Sequence, residues 1–505
     1  MDKIYPTPDN NQESNFESEQ NARFDKLAAS CSRAIEENRQ KKAENSRLGN
    51  RVVLIAIAQR CNDLSEKLLK ASLEKRTLED LLGIIAQEII EKSEGRLVCP
   101  SFSFSSHVTQ SLLVYNGTHW SKVNGQRYID FCILCAEHCG VDKTLRESAN
   151  VMKRLCEKIA FILSREMMVC HPDGQVWINV ENGTLVIDDK GECVLRDHNR
   201  DDNFFYVLPY CYDPSAKCER WQQFLDQMLP ERESQKILAE FLAYCLTKGI
   251  KAEKMLVLCG NGSNGKSVIL DVVEALMGHE NVSYLPLSAL TEDDKKRVQM
   301  NHKLVNISHE SAREIEPSVL KRIVSGEPVD GYVNYEGPVT LTDYGKLITS
   351  FNELPTAENT HGFFRRFILL MMKVTVSEKE RNVNLAKELI ATELPGILNW
   401  VLEGMKRFLK NYEFTDSPAC NEAIQQYRLQ SDNVAMFFSE CCELTDGSYT
   451  QKGKDVYDAY RKYCQEEGLR ALGSNRFYAR FERFDPNARF AHQTRMFAVK
   501  YKARS

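Results

Sequence analysis

The sequence predicts an α/β protein built around a phosphate-binding strand–loop–helix unit. Three observations predict it. Residues 255–259, Met-Leu-Val-Leu-Cys, are a short continuous apolar run, the pattern of a strand buried on both faces. A turn follows, Gly260-Asn261-Gly262-Ser263-Asn264-Gly265-Lys266-Ser267, with the spacing G-x-x-x-x-G-K-[ST] of a P-loop. Val268, Ile269, Val272, Val273 and Leu276 then recur at helical spacing. Glycine lets backbone N–H groups approach phosphate oxygens, and a helix N-terminus adds free donors and positive partial charge. Lys266 is placed to reach β- and γ-phosphates, and Ser267 to ligate Mg²⁺. The pattern predicts ATP and Mg²⁺ as ligands. A glycine-rich turn of no function is the plainer alternative, and the flanking strand and helix argue against it.

With 505 residues the chain has room for two to four domains. Composition is that of an ordinary soluble protein, 43% hydrophobic and 27% charged. A net charge of −5 excludes a basic nucleic-acid coat, so any DNA contact needs a local patch. The longest apolar runs, 52–58 and 367–372, are too short to cross a bilayer, and no membrane association is expected. The polar start, MDKIYPTPDNNQESN, has no signal-peptide pattern, and the 17 cysteines form no small-domain framework. They read as reduced thiols in a cytoplasm. Cys132, Cys135, His138 and Cys139 crowd too closely for an ordinary zinc site, and Phe131, Leu134, Cys135 and His138 keep helical spacing. Packing in a helix is the expectation, metal binding the alternative.

In chain order, residues 1–20 read as a disordered tail. Residues 21–93 hold no proline and read as helical, with Phe24, Leu27, Ala28, Cys31 and Ile35 at 3-4 spacing. They are either a coiled coil for oligomerisation or an ordinary helical bundle or arm. Residues 95–248 form a mixed α+β region. A hairpin is expected over 112–120 with an Asn116-Gly117 turn, helices near 128–139 and 149–163, and strand-turn-strand over 176–187. Helices over 221–228 and 234–247 lead into the P-loop strand. Residues 249–430 form the ATPase domain, with a last helix at 418–430, and 431–505 a C-terminal domain.

Within this layout YNGTHW at 115–120, ENGTLVI at 181–187, LPYCYDP at 208–214 and WQQFL at 221–225 occur in order ahead of the P-loop. Together they resemble the helical domain that precedes the ATPase in phage and plasmid primase–helicases and poxvirus-type NTPases. With GNGSNGKS behind them, the chain from roughly 95 to 500 is similar to a superfamily 3 helicase. The resemblance implies an AAA+-like ATPase core.

The later motifs fit in register. Residues 303–310, KLVNISHE, read as a buried strand ending in polar residues, where a P-loop ATPase needs an acid for Mg²⁺ and the attacking water; Glu310 is the candidate. A helix-capping acid is its bland alternative. The family has two adjacent acids there, and here the first position is His309. Lys321, Arg322 and Glu327 lie in a stretch resembling the family's K-R-x-x-x-G-D segment. The resemblance then implies a DNA-facing hairpin over 329–339. It has no Lys or Arg, so Tyr332 and Tyr335 stacking on bases, with Lys321 and Arg322 supplying charge, is set against two half-buried strand tyrosines. Residues 346–355 resemble the family's strand followed by Asn-x-x-Pro, which implies that Asn352 positions the attacking water. Arg366 or Arg365, with Arg366 preferred, is by resemblance the finger that reaches a neighbouring subunit's nucleotide.

Beyond 432 the pattern resembles the winged-helix domain common at the end of these proteins. Residues 451–505 hold thirteen Lys/Arg against six Asp/Glu, a balance of +7. Arg476, Arg480 and Arg483, interleaved with Phe477, Tyr478, Phe481 and Phe484, fit a helix presented to DNA, against the alternative of a solvated face on a packing domain.

The expectation is an ATP-dependent ring DNA helicase, hexameric, serving replication of a phage, plasmid or other mobile element on single-stranded or forked DNA. A separate primase or polymerase would supply primers. The rivals are an ATPase of a defence or partner-assembly complex, a non-unwinding ATP-binding replication scaffold, and a primase–helicase with a cryptic primase.

Overall fold

A computed structural model describes the chain apart from residues 1–48, 101–111, 166, 168–173, 311–316, 334–336, 355–360, 378, 380, 448–449, 470, 492–493 and 503–505, and apart from the side chains of Glu310, His361 and Ala491. The expected 1–20 tail and Tyr335 lie outside the described residues.

The first unit is a helical bundle with a small sheet. A helical run over 49–60 is followed by α1 (Ser65–Leu73) and α2 (Leu78–Lys92). Thr77 and Asp80 form a capping box that fixes the start of α2. Strands β1 (Leu97–Pro100), β2 (Leu113–Tyr115) and β3 (Trp120–Lys122) precede α3 (Gly125–His138) and α4 (Ala149–Ile162), and β4 (Ser164–Arg165) completes the order β3-β2-β1-β4. The Asn116 carboxamide shapes the hairpin turn by accepting from the N–H groups of Thr118 and His119, each at 3.0 Å. Ile85, Ile89, Phe131, Leu155 and Ile159 share one core with Leu54 and Ile57. Residues 49–92 thus pack as part of a bundle, and the expected boundary at 93–95 falls inside a continuous core.

The second half of the expected 95–248 region packs elsewhere. Strands β5 (Val176–Val180), β6 (Gly183–Ile187) and β7 (Cys193–Arg196) form an antiparallel sheet. With α5 (Glu219–Met228) and α6 (Arg232–Leu246) they contribute to the core of the central sheet.

That sheet is parallel. Its strands are β8 (Met255–Cys259), β9 (Val282–Ser283), β10 (Val305–Glu310), β13 (Lys346–Phe351) and β14 (Phe367–Met371), in the order β14-β8-β13-β10-β9. Every residue of β8 is buried, as a strand covered on both faces requires. On one face lie α6, α7 (Lys266–Met277) and α13 (Leu394–Asn411), through Leu242, Val273 and Met405. A Cβ on Gly404 would stand 2.6 Å from the Ala239 carbonyl carbon, so glycine there lets α13 lie close against α6. Pro395 sits in the first turn of α13, where its missing N–H is harmless. The opposite face carries α8 (Leu287–Glu292), α10 (Pro317–Val324), α11 (His361–Phe364) and α14 (Pro418–Gln430), through Leu290, Ile323, Phe363 and Tyr427. Between α8 and α10 come α9 (Asp294–Arg297) and β10. The antiparallel hairpin β11 (Val329–Val333) and β12 (Gly337–Leu341) follows α10. A short helix, α12 (Leu385–Thr392), precedes α13.

The C-terminal unit has its own core. It consists of α15 (Asn433–Cys441), β15 (Cys442–Leu444), β16 (Gln451–Lys452), α16 (Gly453–Glu466), α17 (Ser474–Phe481), β17 (Arg489–Ala491), β18 (Thr494–Phe497) and β19 (Val499–Tyr501). Phe437, Tyr460, Phe477, Phe481 and Phe497 fill it. Phe477 and Phe481, expected to alternate with basic residues on a DNA-facing surface, are fully buried. Their four-residue spacing is the signature of a helix's inward stripe.

Candidate nucleotide site and nucleic-acid surfaces

The P-loop is held from three sides. Gly260 N–H donates to the Phe351 carbonyl at 3.2 Å, tying the loop to β13. The Asn264 carboxamide donates to the Met372 carbonyl at 3.1 Å, just beyond β14. Val376 N–H donates to the Ser263 carbonyl at 2.9 Å. Gly260 cannot carry a side chain, because its Cβ would fall 1.9 Å from Asn264 Nδ2 and 2.5 Å from the Met372 oxygen. Gly262 and Gly265 have φ of +100° and +78°, the region glycine adopts freely, while Ser263 adopts +47°. From below, Phe224 and Met228 of α5 pack against Gly265.

Lys266 opens α7. Its ammonium donates to the Gly260 carbonyl and, at 3.1 Å, to Asn264 Oδ1. Burial holds its pKa below the ordinary lysine value, partly opposed by the Cys259 thiol. Asn264 therefore has two roles, fastening the loop to β14 and aiming the lysine. Asn261, Ser263 and Ser267 are exposed, Ser267 in the first turn of α7, where backbone N–H groups lack intrahelical partners.

The sheet brings the other candidates to this edge. Met371, Cys259, Phe351 and Glu310 stand in one register row across four parallel strands. Because β13 lies between β8 and β10, Asn352, one residue beyond β13, is flanked by the P-loop and by the end of β10. Asn352 is exposed, and its carbonyl lies 3.8 Å from Cys259 Sγ. His309 Nδ1 lies 2.9 Å from Ser350 Oγ, so the histidine in the first acid position is paired with the neighbouring strand.

Arg365 and Arg366 lie at the opposite edge. Met255 N–H, at the start of β8, donates to the Arg366 carbonyl at 2.8 Å. The length of the strand, about 15–20 Å, separates this point from the P-loop of the same chain. Arg366 donates to Ser325 Oγ at 3.1 and 2.8 Å and to the Gly362 carbonyl, and its side chain is 13% exposed. Arg365 is 51% exposed and pairs with Glu253 at 2.7 Å. Glu253, with a φ of +52°, also lies 3.7 Å from Arg366. Sequence reasoning missed Glu253 and Ser325, since neither belongs to a motif.

The hairpin gains a positive charge its own sequence lacks. Lys295 Nζ of α9 stands 5.4 Å from the ring of half-buried Tyr332. Beside it Arg297 is buried, donating to carbonyls of Leu290, Thr291 and Asp330 at 2.6, 3.2 and 2.5 Å, and so binds α9 to β11. Lys295 and Lys296 were legible as a Lys-Lys-Arg run but carried no motif. Arg322, exposed on α10 beside Lys321, donates to the Pro328 carbonyl at 2.7 Å. In the C-terminal unit Arg476 and Arg483 are exposed, whereas Arg480 is half-buried with Asp432 at 3.6 Å. The cysteines of α3 are buried, and among the described residues no group of three or more His, Cys, Asp or Glu could hold a metal ion.

Comparison with known proteins gives three family matches along the chain. The family described as "D5 N terminal like" matches residues 105–230, and "Poxvirus D5 protein-like" matches 429–502. A family of unknown function, DUF5906, matches 258–366, the span from the P-loop strand to Arg366. The "Putative helicase L207/L206" of Acanthamoeba polyphaga mimivirus is 21% identical over 314 residues, 56% of this chain and 32% of the relative. The "Putative primase C962R" of African swine fever virus is 22% identical over 183 residues, 35% of this chain and 19% of the relative. The two D5-type matches and the two viral relatives fit the phage and poxvirus-type primase–helicase family. The chain spans less than a third of the length of either relative. Among solved structures, the apo NrS-1 C-terminal region aligns over 82% of this chain and 99% of its own, at 12% identity and a TM-score of 0.45.

Proposed function

We propose that this chain is the motor of an ATP- and Mg²⁺-dependent DNA helicase of superfamily 3, with an AAA+-like core, working as a ring of identical subunits, six in number. A replication role agrees with the family. One observation carries the finer reading: the P-loop, Glu310 and Asn352 share one edge of the sheet, while Arg365 and Arg366 occupy the other. A single chain cannot bring both edges to one nucleotide. A ring can, by setting one subunit's arginine edge against the next subunit's P-loop edge.

The loop's donor set fits a polyphosphate. Gly260, Gly262 and Gly265 allow close backbone approach, with Asn261, Ser263 and Asn264 between them. Lys266 exchanges its contacts with Gly260 and Asn264 for phosphate oxygens. Ser267 and Glu310 would hold Mg²⁺, which supplies charge neutralisation at the phosphates. Glu310 accepts the proton of the attacking water and Asn352 orients it. An arginine from the neighbour, Arg366 or Arg365, stabilises the charge that develops as the terminal phosphoryl group leaves.

Nucleic acid meets two surfaces in this reading. Lys295, Lys321 and Arg322 flank the hairpin that carries Tyr332, and Tyr335 is a further candidate for stacking on bases. Arg476, Arg480 and Arg483 belong to a C-terminal winged helix, and a separate primase or polymerase acts alongside. The test is unwinding of forked DNA by the purified chain with ATP: strand separation that Lys266→Ala abolishes is expected. A second reading, a replication scaffold that binds ATP with little turnover, is favoured by the pairing of His309 with Ser350 in place of an acid. Tight ATP binding without hydrolysis would decide for it, and hydrolysis without unwinding would favour an ATPase of a partner-assembly or defence complex.

A further inference from the structure

The β17–β18 hairpin of the C-terminal unit carries an aromatic ring that nothing in the motif reading uses. Phe490 is 69% exposed. It is also well supported. Arg495 is its cross-strand partner, and the guanidinium carbon lies 5.0 Å from the Phe490 ring centre. The same guanidinium lies 4.5 Å from the ring of Tyr478. Tyr478 in turn stacks at 26° on Phe497, which is fully buried. Glu482 pairs with the guanidinium electrostatically, its carboxylate 2.8 Å from Nε. The series Phe497, Tyr478, Arg495, Phe490 therefore runs from the core of the unit to solvent. Phe490 is its last member, with a cation over its ring and most of its surface exposed.

We propose that Phe490 is a stacking platform for an unpaired base, and that the ligand of this hairpin is single-stranded nucleic acid. This deepens the nucleic-acid reading of the C-terminal unit and is independent of ATP. The chemistry favours a base over an apolar protein partner. The neighbour of Phe490 on the strand is the exposed Arg489, and residues 451–505 carry the +7 balance. A base offers a π-face to Phe490 and brings a phosphate within reach of arginines. A ring held in place from below loses little freedom on binding. Duplex DNA hides its base faces, so the platform discriminates for single strands.

The experiment is equilibrium binding of the full chain, without nucleotide, to labelled oligo(dT) and to a duplex of equal length. Phe490→Ala should weaken oligo(dT) binding by about 5- to 100-fold, the range of one base–aromatic stack, and leave duplex binding within about 2-fold. The slope of log affinity against log salt should stay unchanged, because no phosphate contact is lost. Arg476→Ala and Arg483→Ala should instead each reduce the single-strand slope by about 0.7 if the residue contacts phosphate. Phe490→Trp should retain binding and lose indole fluorescence as oligo(dT) is added. Unchanged oligo(dT) affinity in Phe490→Ala, or equal loss on single strand and duplex, would overturn the proposal. Because ATP is absent, failure here leaves the ATPase reading standing, and an inactive ATPase leaves this one standing.

Discussion

Two residues in the P-loop turn are fixed by contacts that a motif does not express. Gly260 is needed because Asn264 and the Met372 carbonyl fill the space of a side chain. Gly260→Ala should lower stability by about 1–3 kcal/mol, the cost of forced overpacking, and abolish ATP binding; thermal melting and nucleotide titration check both. Asn264→Ala removes the fastening to β14 and the aim of Lys266 together. Nucleotide affinity is expected to fall by roughly 5- to 150-fold, about 1–3 kcal/mol, measurable by titration with a fluorescent ATP analogue. The two arginines separate by their partners. Arg365→Ala breaks an exposed ion pair and should cost at most about 1 kcal/mol of stability. Arg366→Ala leaves Ser325 and the Gly362 carbonyl without their donor and should cost about 1–3 kcal/mol. The variant that loses hydrolysis while keeping its ATP affinity, assayed at a temperature where both variants remain folded, identifies the finger. The loop, Lys266 and Ser267 were legible because each stands in a fixed spacing. Glu253, Ser325 and the second role of Asn264 were not, because their partners lie tens of residues away.

At the level of elements, local pattern gave type and extent, and pairing was out of its reach. The last helix of the core, α14, covers 418–430 as its proline start and apolar spacing predict. The strand expected over 303–310 appears as Val305–Glu310. Nothing in that strand's own residues states that β13 will lie between it and β8, the arrangement that sets Asn352 beside the loop. The hairpin over 329–339 was foreseen, but its charge was sought on α10, whereas α9 brings Lys295 to Tyr332. Lys295→Glu should therefore weaken DNA binding and reduce its salt slope by about 1 if the lysine meets a phosphate, which titration at several ionic strengths would show. Aromatic residues of α17 were misread for a related reason. Basic residues alternating with aromatics describe both a binding face and a helix whose aromatics point inward, and packing against Phe437 and Phe497 decides for the core.

Over the whole molecule, the cores do not follow the expected domain borders. One runs from Leu54 to Ala160, and a second joins Val176 to the central sheet and on to Cys420. Periodicity cannot reveal this, because an amphipathic helix does not name the surface it covers. The seam between the 204–206 segment and the central sheet is held by a polar cluster. Asp343 pairs with Lys248 at 2.6 Å and with His302 at 3.0 Å, and the His302 ring stacks on Phe205 at 4.3 Å. Burial alone would raise the Asp343 pKa, but the Lys248 charge and His302 outweigh it and hold the carboxyl well below its ordinary range. A folded-state pKa below the unfolded one stabilises the fold above the unfolded value. That stabilisation is lost as pH falls below about 4, where the unfolded chain binds the proton first. Asp343→Asn should flatten the acid side of the stability–pH curve, as denaturant melts across pH would record.

The central claim is that hydrolysis takes place between subunits. Lys266→Ala supplies a chain with an intact arginine edge and a dead P-loop. Arg365→Ala/Arg366→Ala supplies the reverse. Each alone should be inactive, and mixing them should restore ATP hydrolysis, because some interfaces then pair an intact loop with intact arginines. Mixed rings visible by native mass spectrometry that remain inactive at every ratio would contradict the account.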